Sequence, residues 1–361
     1  MVLTMFRRKL VLADLGTSNT DVSSGKEVHT FPTLIAYDDQ GNQGIGESAQ
    51  RQAGIAHLIW IKSRARISSE EENYPDAFSD FVRLTFEEKL RIKPDESVDL
   101  MMSEPTSMTD FARKQIIEQL QLVPQVERVY FLPEPVATAF GADLEGSYIL
   151  LDMGDGNTSM QAFKGKVPVR VRSGTSVTFT AQQTFRAGRT MTFSTSEVLR
   201  NELDIHLDVS SSVSQNYMYT VELKHLLLST QRRIKVIDEN KKIITVDITT
   251  ELQNKIVSCL FDHKWDSIPI HQVIRDVALT AKAMSTALLS TIYVTGKPFT
   301  SEAVYYIFSK RVNELLREER EAFEIQKIDV QRLPNCGHSV MAGMQKLGKK
   351  VQEESKRWIE L

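Results

Sequence analysis

The chain has 361 residues, and a typical domain size of about 100–200 residues indicates two or more domains. Its 41% hydrophobic and 25% charged residues are typical of a soluble globular protein. The net charge of −3 excludes a general attraction to nucleic acid or to an anionic membrane. Two cysteines, Cys259 and Cys336, are too few for a disulfide framework, which favours a reducing cytoplasm.

The first part of the chain predicts an antiparallel β-meander followed by alternating helices and strands. The predicted elements are strands at 9–15, 20–24 and 28–37, a mixed helical region at 47–66, a strand at 98–104, a helix at 109–122, a strand at 128–132 and a helix at 136–144. Residues 107–110, Ser-Met-Thr-Asp, offer a cap for the helix that follows them.

The opening pattern repeats at 147–174, where an apolar strand ends in an acid and leads through a Gly-rich turn into two more strands. Such a repeat predicts two similar lobes. The remaining predicted elements are helices at 194–205 and 216–229, a hairpin at 233–248 with its turn at 238–242, helices at 249–261 and 268–290, a strand at 291–296, a helix at 299–316, a strand at 327–333 and a helix entry at 334–348. The apolar stretch 277–296 contains Lys282 and small polar residues, so it predicts a core helix running into a strand rather than a membrane span.

Two short polar turns are the candidate sites for chemistry. The first, 14-DLGTSNT-20, has the composition of an ordinary β-turn, and it also has the composition of a phosphate cradle with an acid on the metal side. The second turn, 152-DMGDGNTS-159, has the same two interpretations. The histidines have no zinc-ligand spacing, so no structural metal is expected.

Taken together, these blocks resemble the actin-type ATPase superfamily over about residues 9–348. The family includes actins, bacterial cell-shape and plasmid-partition actins, heat-shock-chaperone ATPases and sugar kinases. The resemblance implies an α/β fold with two lobes, each a duplicated β-meander/α domain with a smaller inserted subdomain, and a nucleotide cleft between the lobes. The implied subdomains are IA at 1–32 and 97–145, IB at 33–96, IIA at 146–185 and 262–361, and IIB at 186–261.

The resemblance assigns roles around the first turn. Asp14 would lie near Mg²⁺, and Gly16, Thr17, Ser18 and Asn19 would wrap the β- and γ-phosphates. In 131-FLPEPVATAFG-141, Glu134 would orient the attacking water, because phosphoryl transfer depends mainly on positioning and charge. The simpler alternative is that Glu134 only caps its helix. The small residues Ala137 and Ala139 would let this helix pack closely against residues 338–345, as the hinge of the family.

The second turn resembles the family pattern but departs from it in two places. Asp152 is the candidate for the second catalytic and metal-side carboxylate, and Gly154, Gly156, Asn157 and Thr158 complete the implied phosphate turn. Asp155 stands where the family has glycine, and Ser159 replaces the usual acid. A carboxylate at 155 would repel a triphosphate unless it faces Mg²⁺ or solvent.

Further blocks resemble the nucleoside-binding parts of the family. Gly188, in 187-AGRTMTF-193, would approach the ribose. Lys224 matches a lysine beside the adenine ring, although Val221 stands where an acid is usual, and the alternative is an ordinary solvated lysine. Gly296 and Lys297 match the adenosine loop, whose departure from the pattern leaves ATP and GTP both open. Lys62 lies near where the chaperones place a phosphate-facing lysine.

The implied function is a nucleotide-dependent cytoskeletal or cytomotive filament protein that binds and hydrolyses ATP with Mg²⁺, or GTP in its place. Two alternatives remain: a monomeric actin-fold adaptor of cell-division or pilus type, and a chaperone-like ATPase. The expected partner is the chain itself, as a homopolymer in the cytoplasm. Apolar residues beside Arg7, Arg8 and Lys9 make residues 1–9 a candidate membrane contact, and no nucleic-acid binding is expected.

Overall fold

The computed structural model describes residues 8–41, 43–52, 56–63, 66–67, 74–106, 108–173, 176–211, 214–284, 289, 291–317, 328–354 and 358–361. Residues 1–7, which hold most of the candidate membrane contact, and the side chain of Lys62 lie outside this description. The described chain has a mixed α/β architecture with several sheets, which confirms the predicted α/β class.

The described strands are named in chain order. They are β1 Lys9–Leu15, β2 Asn19–Ser23, β3 His29–Pro32, β4 Leu34–Tyr37, β5 Gln43–Ile45, β6 His57–Trp60, β7 Lys62–Ser63, β8 Arg66–Ile67, β9 Val98–Glu104, β10 Val126–Pro133, β11 Ser147–Met153, β12 Thr158–Lys164, β13 Val167–Pro168, β14 Arg170–Ser173, β15 Ser176–Phe179, β16 Gln182–Thr184, β17 Arg233–Ile237, β18 Ile243–Asp247, β19 Thr291–Thr295, β20 Asp329–Arg332 and β21 Ile359–Glu360.

The described helices are named in the same way. They are α1 Glu47–Arg51, α2 Ala77–Leu84, α3 Asp110–Leu120, α4 Glu134–Gly141, α5 Gly188–Leu203, α6 Gln215–Leu227, α7 Thr250–Ser258, α8 Ile270–Met284, α9 Glu302–Leu315 and α10 Ser339–Glu353. A π-helical turn, Thr85–Lys89, continues α2, and a 3₁₀ turn, Lys297–Thr300, precedes α9. No helix in the described part of the chain is long and apolar enough to cross a membrane.

The chain divides into two compact units. Unit 1 contains Met1–Ala142 and Val340–Leu361, and unit 2 contains Asp143–Ser339. Unit 1 therefore includes residues 340–361, which the sequence analysis assigned to the second lobe. These residues belong to unit 1 because β21 pairs with β10 and the side-chain amide of Gln352 donates to the Asp99 carboxylate of β9 at 2.9 Å.

The main sheet of unit 1 has the strand order β21-β10-β9-β1-β2-β3. β1, β9 and β10 run parallel, whereas β2 is antiparallel to both β1 and β3. One buried apolar cluster of unit 1 includes Val11 of β1, Leu100 of β9 and Phe81 of α2. A second cluster joins Leu12 and Met101 to α4 and α10.

The main sheet of unit 2 has the order β13-β12-β11-β19-β20, with β16 also paired to β12. β11, β19 and β20 run parallel, and β12 is antiparallel to β11 and to β13. Strand by strand, this order and these directions match β3-β2-β1-β9-β10 of unit 1. The predicted internal repeat is thus a repeat of sheet topology.

Several predicted elements occur where the pattern placed them. β9 spans the predicted 98–104, and the hairpin of β17 and β18 has its turn at 238–242. Thr109 and Thr249 cap α3 and α7, each with a side-chain oxygen that accepts from a backbone N–H at 3.1 Å. The predicted cap at 107–110 was therefore a reliable guide to the start of α3.

Two predictions were wrong. The run 28–37 is two strands rather than one, because Thr33 separates β3, in the main sheet, from β4, in a three-stranded sheet of order β5-β4-β6. Among its described residues, the region 47–66 is helical only over α1, and β6 to β8 follow it. The segment His57–Trp60 contains β-favouring aromatic and branched residues, and pairing with β4 overrides any helical tendency.

Candidate functional site

The first turn joins β1 to β2 through residues 16–18. The Gly16 amide donates to the carbonyl oxygen of Asn19 at 3.0 Å, which closes the turn. A Cβ atom on residue 16 would lie 2.4 Å from that same oxygen, so the close approach requires glycine. Thr17 is buried, and the side-chain Nδ2 of Asn19 donates to the Ser18 hydroxyl at 3.2 Å.

The second turn joins β11 to β12 and is closed in the same way. The Gly154 amide donates to the carbonyl oxygen of Asn157 at 2.9 Å. The two turns share the sequence D-x-G-x-x-N-T, at residues 14–20 and 152–158. The predicted repeat rested on composition and did not use this identical spacing, which was the signal for identical turn geometry.

The first turn is tied to the start of β4 by Thr33. The Thr33 amide donates to the Ser18 carbonyl at 3.0 Å, and the hydroxyls of Thr20 and Thr33 lie 2.8 Å apart. The Thr33 carbonyl in turn accepts from the Ile61 amide at 3.2 Å, directly after β6. Thr33 therefore connects the first turn to the three-stranded sheet.

The second turn is tied to the start of α5 instead. The amides of Gly188 and Arg189 donate to the carbonyls of Gly154 and Asp155, at 3.0 and 2.7 Å. A Cβ atom on residue 188 would lie 3.1 Å from Asp155 Cα, so glycine permits this tight contact. The Thr158 hydroxyl donates to the Arg186 carbonyl at 2.6 Å, which anchors β12 to the same segment.

Asp155 faces two cations of unit 2. Its Oδ2 lies 3.5 Å from Arg189 Nε, and its Oδ1 lies 3.8 Å from Lys224 Nζ. Lys224 is only 4% exposed, and its ammonium donates to the Gly188 carbonyl at 3.0 Å and to the Thr192 hydroxyl at 2.9 Å. The solvated-lysine alternative is thus wrong, and the Asp155 carboxylate has ion-pair partners within its own unit.

Burial has a clear electrostatic effect in this cluster. It lowers the pKa of Lys224, while the negative charge of Asp155 acts in the opposite direction. Burial, together with the charge of Asp155, raises the pKa of Tyr217 to about 12. The Tyr217 hydroxyl makes no hydrogen bond of normal geometry among the described residues.

In unit 1 the carboxyl ends of three parallel strands carry polar side chains. β1 ends at Asp14 and Leu15, β9 ends at Ser103 and Glu104, and α4 begins at Glu134 directly after β10. The Ser103 hydroxyl donates to Asp14 Oδ1 at 2.6 Å. Ligands of open α/β sheets bind at such strand ends.

Two of these residues were missed by the sequence analysis. Ser103 and Glu104 were read only as the end of a buried strand. Arg113 of α3 forms an ion pair with Glu104 at 2.9 Å, and this pair fixes the edge on which Ser103 lies. The available signal was the switch from apolar residues to Ser-Glu at a strand end, 98-VDLMMSE-104.

Gly296 lies against the second turn. It has a φ of 104° and follows β19, and a Cβ atom there would lie 2.0 Å from the carbonyl oxygen of Met153. Its amide donates to the Cys336 carbonyl at 2.6 Å, and Lys297 opens the 3₁₀ turn that comes next. Asp152 is paired with Thr295 across β11 and β19. Unit 2 thus gathers its candidate residues at one sheet edge.

Glu134 is held by the start of α4. Pro133 precedes the helix with φ −57° and ψ 127°, and Pro135 occupies its first turn, so the chain turns sharply at this acid. α4 packs very closely on α10, since a Cβ atom on Gly343 would lie 1.7 Å from the Ala137 carbonyl oxygen. Lys346 of α10 donates to the Gly141 carbonyl at 2.7 Å and caps the end of α4.

The structure therefore places the candidate residues in two sets. Within unit 1 it brings Asp14, Gly16, Thr17, Ser18 and Asn19 into one turn, with Glu134 at the same sheet edge. Within unit 2 it brings together the second set, which comprises Asp152, Gly154, Asp155, Gly156, Asn157, Thr158, Gly188, Lys224, Gly296 and Lys297. Among the described residues no three His, Cys, Asp or Glu side chains form a metal-binding group.

Comparison of the chain with models of known protein families gives no match, and comparison with curated protein sequences gives none either.

Proposed function

We propose that this chain is an actin-type nucleoside triphosphatase that binds ATP, or GTP, with Mg²⁺ and assembles into filaments. The observation that supports it best is the repeated turn. Two sheets of the same strand order and direction carry the same D-x-G-x-x-N-T segment after the same strand, closed by the same Gly-to-Asn hydrogen bond. A duplicated turn of this kind suits one nucleotide held by two similar halves.

The residues of both turns fit Mg²⁺ and phosphate. Backbone amides, hydroxyls and a glycine that cannot carry a Cβ atom form the kind of concave surface that binds anions, and Gly16 is such a glycine. Asp14 and Asp152 would supply oxygen ligands. Mg²⁺ is usually held by one or two carboxylates together with phosphates and water, so a cage of three protein side chains is not needed.

Within this proposal the chain's own groups have distinct tasks. The amides and hydroxyls of Gly16, Thr17, Ser18 and Asn19 would hold phosphate oxygens. Glu134 would accept a hydrogen bond from a water molecule and orient it, because it is the first residue of α4, directly after the end of β10. Bound Mg²⁺ would supply charge neutralisation for the phosphates.

The proposed architecture is the two-lobed actin type. The main sheets would form the two large subdomains. The three-stranded sheet of β4 to β6 and the hairpin of β17 and β18 would belong to the smaller ones. Nucleotide binding would favour an assembly-competent conformation, and hydrolysis would weaken subunit contacts, as a local charge change can bias a bistable interdomain angle.

Nucleotide binding tests each turn separately. Fluorescent ATP should bind the wild-type protein in the presence of Mg²⁺, and Asp14→Ala and Asp152→Ala should each weaken binding by at least about tenfold, since each removes one metal-side carboxylate. The control is Glu118→Ala, because Glu118 lies on the exposed face of α3 and pairs only loosely with Lys114 at 3.8 Å. If both aspartate variants bind fluorescent ATP as tightly as the wild type, the proposal is contradicted.

Assembly is tested by light scattering and negative-stain microscopy with ATP, a non-hydrolysable analogue or GTP. Wild-type protein should form nucleotide-dependent filaments, and Glu134→Gln should stabilise them by slowing hydrolysis. Binding without assembly would favour the monomeric adaptor, and ATPase activity stimulated by unfolded peptide would favour the chaperone-like alternative.

The candidate membrane contact at residues 1–9 has its own test. Liposome co-sedimentation that is lost on deletion of residues 1–6 would support it.

A further inference from the structure

Ser103 is buried and forms a polar pair with the partly exposed Asp14 on the neighbouring parallel strand. β1 and β9 run parallel with Ala13 opposite Met102, so Asp14 and Ser103 each stand one residue further along. Ser103 is 4% exposed, and its hydroxyl donates to Asp14 Oδ1 at 2.6 Å. The strand register therefore creates the contact, and no loop is needed to hold it.

The position of Ser103 would ordinarily favour an apolar residue. Side chains alternate across a strand, so Ser103 shares a face with Met101, and Asp14 shares one with Leu12. Met101 and Leu12 belong to the apolar cluster that packs under α4 and α10. A hydroxyl at this position is costly to bury unless it has a partner, and its partner here is the carboxylate of Asp14.

A hydroxyl suits the task of orienting a metal-side carboxylate. It donates one hydrogen bond to one oxygen and fixes the rotation of the carboxylate. It adds no positive charge, so unlike lysine or arginine it does not neutralise the acid that a cation requires. Partners of this kind around metal-binding carboxylates typically affect metal affinity by 10–100-fold when they are removed.

We propose that Ser103 is a positioning residue for Asp14, which it holds in the orientation required on the Mg²⁺ side of the nucleotide. This inference rests on the proposed function of the first turn. It adds a residue that lies outside both turns, at the end of the strand next to β1.

The test compares Ser103→Ala with Ser103→Thr. The readout is the Mg²⁺ concentration needed for half-maximal binding of fluorescent ATP. Ser103→Ala should raise that concentration by about 10–100-fold, and Ser103→Thr, which keeps a hydroxyl on a strand-compatible side chain, should restore it to within a few-fold of wild type.

The matched control is Ser23→Ala in the same sheet. Ser23 is fully buried, and its hydroxyl has the backbone carbonyl oxygens of Glu27 and Gly25 as acceptors, at 2.6 and 3.0 Å, rather than Asp14. This substitution should lower the melting temperature and leave the Mg²⁺ requirement unchanged. An equal Mg²⁺ effect in both variants, or none in Ser103→Ala, would overturn the inference.

Crystal structures of the nucleotide-free wild type and Ser103→Ala separate the two possible failures. The Asp14 carboxylate should keep one orientation in the wild type and rotate in the variant. If it rotates but the wild-type protein binds no nucleotide, the proposed function fails and the positioning contact stands. If nucleotide binds and the carboxylate is unmoved by the substitution, the positioning inference fails alone.

Discussion

Asp155 lies in the second turn, where its carboxylate is close to two cationic side chains. From the sequence, we expected the Asp155 carboxylate to repel a bound triphosphate unless it faced Mg²⁺ or solvent. The structure gives it a third environment, between Arg189 and the buried Lys224. Its charge is therefore balanced from within unit 2, by residues 34 and 69 positions further along the chain.

A double-mutant cycle measures this balance. Asp155→Asn should destabilise the protein by about 3 kcal/mol, because it leaves the Lys224 charge buried without its anion. The same substitution in a Lys224→Met background should cost clearly less, with a coupling of about 1–3 kcal/mol by urea unfolding.

The matched control for that cycle is the exposed pair of Arg233 and Asp247, whose side chains are each 66% exposed. Their coupling should be clearly weaker than that of Asp155 and Lys224, because solvent screens the charges of an exposed ion pair. Equal couplings for the two pairs would show that burial of Lys224 adds nothing to the interaction.

Cys259 gives the protein an alkaline sensitivity. The thiol is 1% exposed, and burial raises its pKa to about 12 from an ordinary value of 9.0. Between these pH values the unfolded chain loses the thiol proton and the folded chain keeps it. The folded state binds more protons, so stability falls as pH rises, by up to about 1.4 kcal/mol per pH unit from this group.

Urea unfolding at pH 8, 9 and 10 checks this prediction. Cys259→Ala should be less stable than wild type at pH 8, through lost packing, and its stability should then fall less steeply with pH. Cys336→Ala serves for comparison, because burial also raises the pKa of Cys336 but the thiol is less completely enclosed. Parallel pH curves for wild type and Cys259→Ala would contradict the assignment.

At the scale of elements, the sequence predicted what local chemistry determines. The capped starts of α3 and α7, the hairpin of β17 and β18, and strand β9 follow from caps, turn residues and apolar runs. The split at Thr33 and the strands after α1 depend on pairing with distant strands, which no local pattern reports. The same holds for Ser103, whose role arises from the register of β9 against β1.

The two turns share a hydrogen bond but differ in their tolerance of a side chain. Gly16→Ala places a Cβ atom 2.4 Å from the Asn19 carbonyl oxygen, so the turn must open, at a cost of about 2 kcal/mol. On the proposed function, this opening should also abolish nucleotide binding. Gly154→Ala places it 3.3 Å from the Asn157 oxygen and should cost less than about 1 kcal/mol. Thermal unfolding and fluorescent-ATP binding of the two variants measure the difference. Equal effects would mean that the turns are not held as the contacts indicate.

The close crossing of α4 and α10 depends on Gly343. A methyl group there would lie 1.7 Å from the Ala137 carbonyl oxygen, and neither helix backbone can yield without separating the pair. Gly343→Ala should therefore destabilise the protein by about 3 kcal/mol in urea unfolding. Gly25→Ala is the control, because a Cβ atom there has no described neighbour within 4 Å. A neutral Gly343→Ala would show that the helices pack less closely.

For the whole molecule, the sequence predicted two similar lobes but not which lobe holds the last residues. The resemblance to the actin-type superfamily implied that residues 262–361 stay together in subdomain IIA. The segment 340–361 instead completes unit 1, since its apolar side chains cover Leu12 and Met101 and its last strand pairs with β10. Such a return of the chain is decided by long-range contacts, which single-sequence patterns do not contain.

Trp358 packs residues 340–361 against the rest of unit 1, and substituting it tests the division of the chain into two units. Its indole N–H donates to the Val351 carbonyl at 2.9 Å, and its ring lies 5.0 Å from the guanidinium of Arg128, whose partner is the buried Asp99. Trp358→Ala should cost about 3–5 kcal/mol. Hydrogen exchange should accelerate in residues 8–142 and 340–361, with residues 143–339 much less affected. Trp265 lies in unit 2 and packs, partly buried, against the apolar core of that unit, so Trp265→Ala should give the opposite distribution. Acceleration spread evenly over the chain in both variants would show that the two units open as one cooperative body.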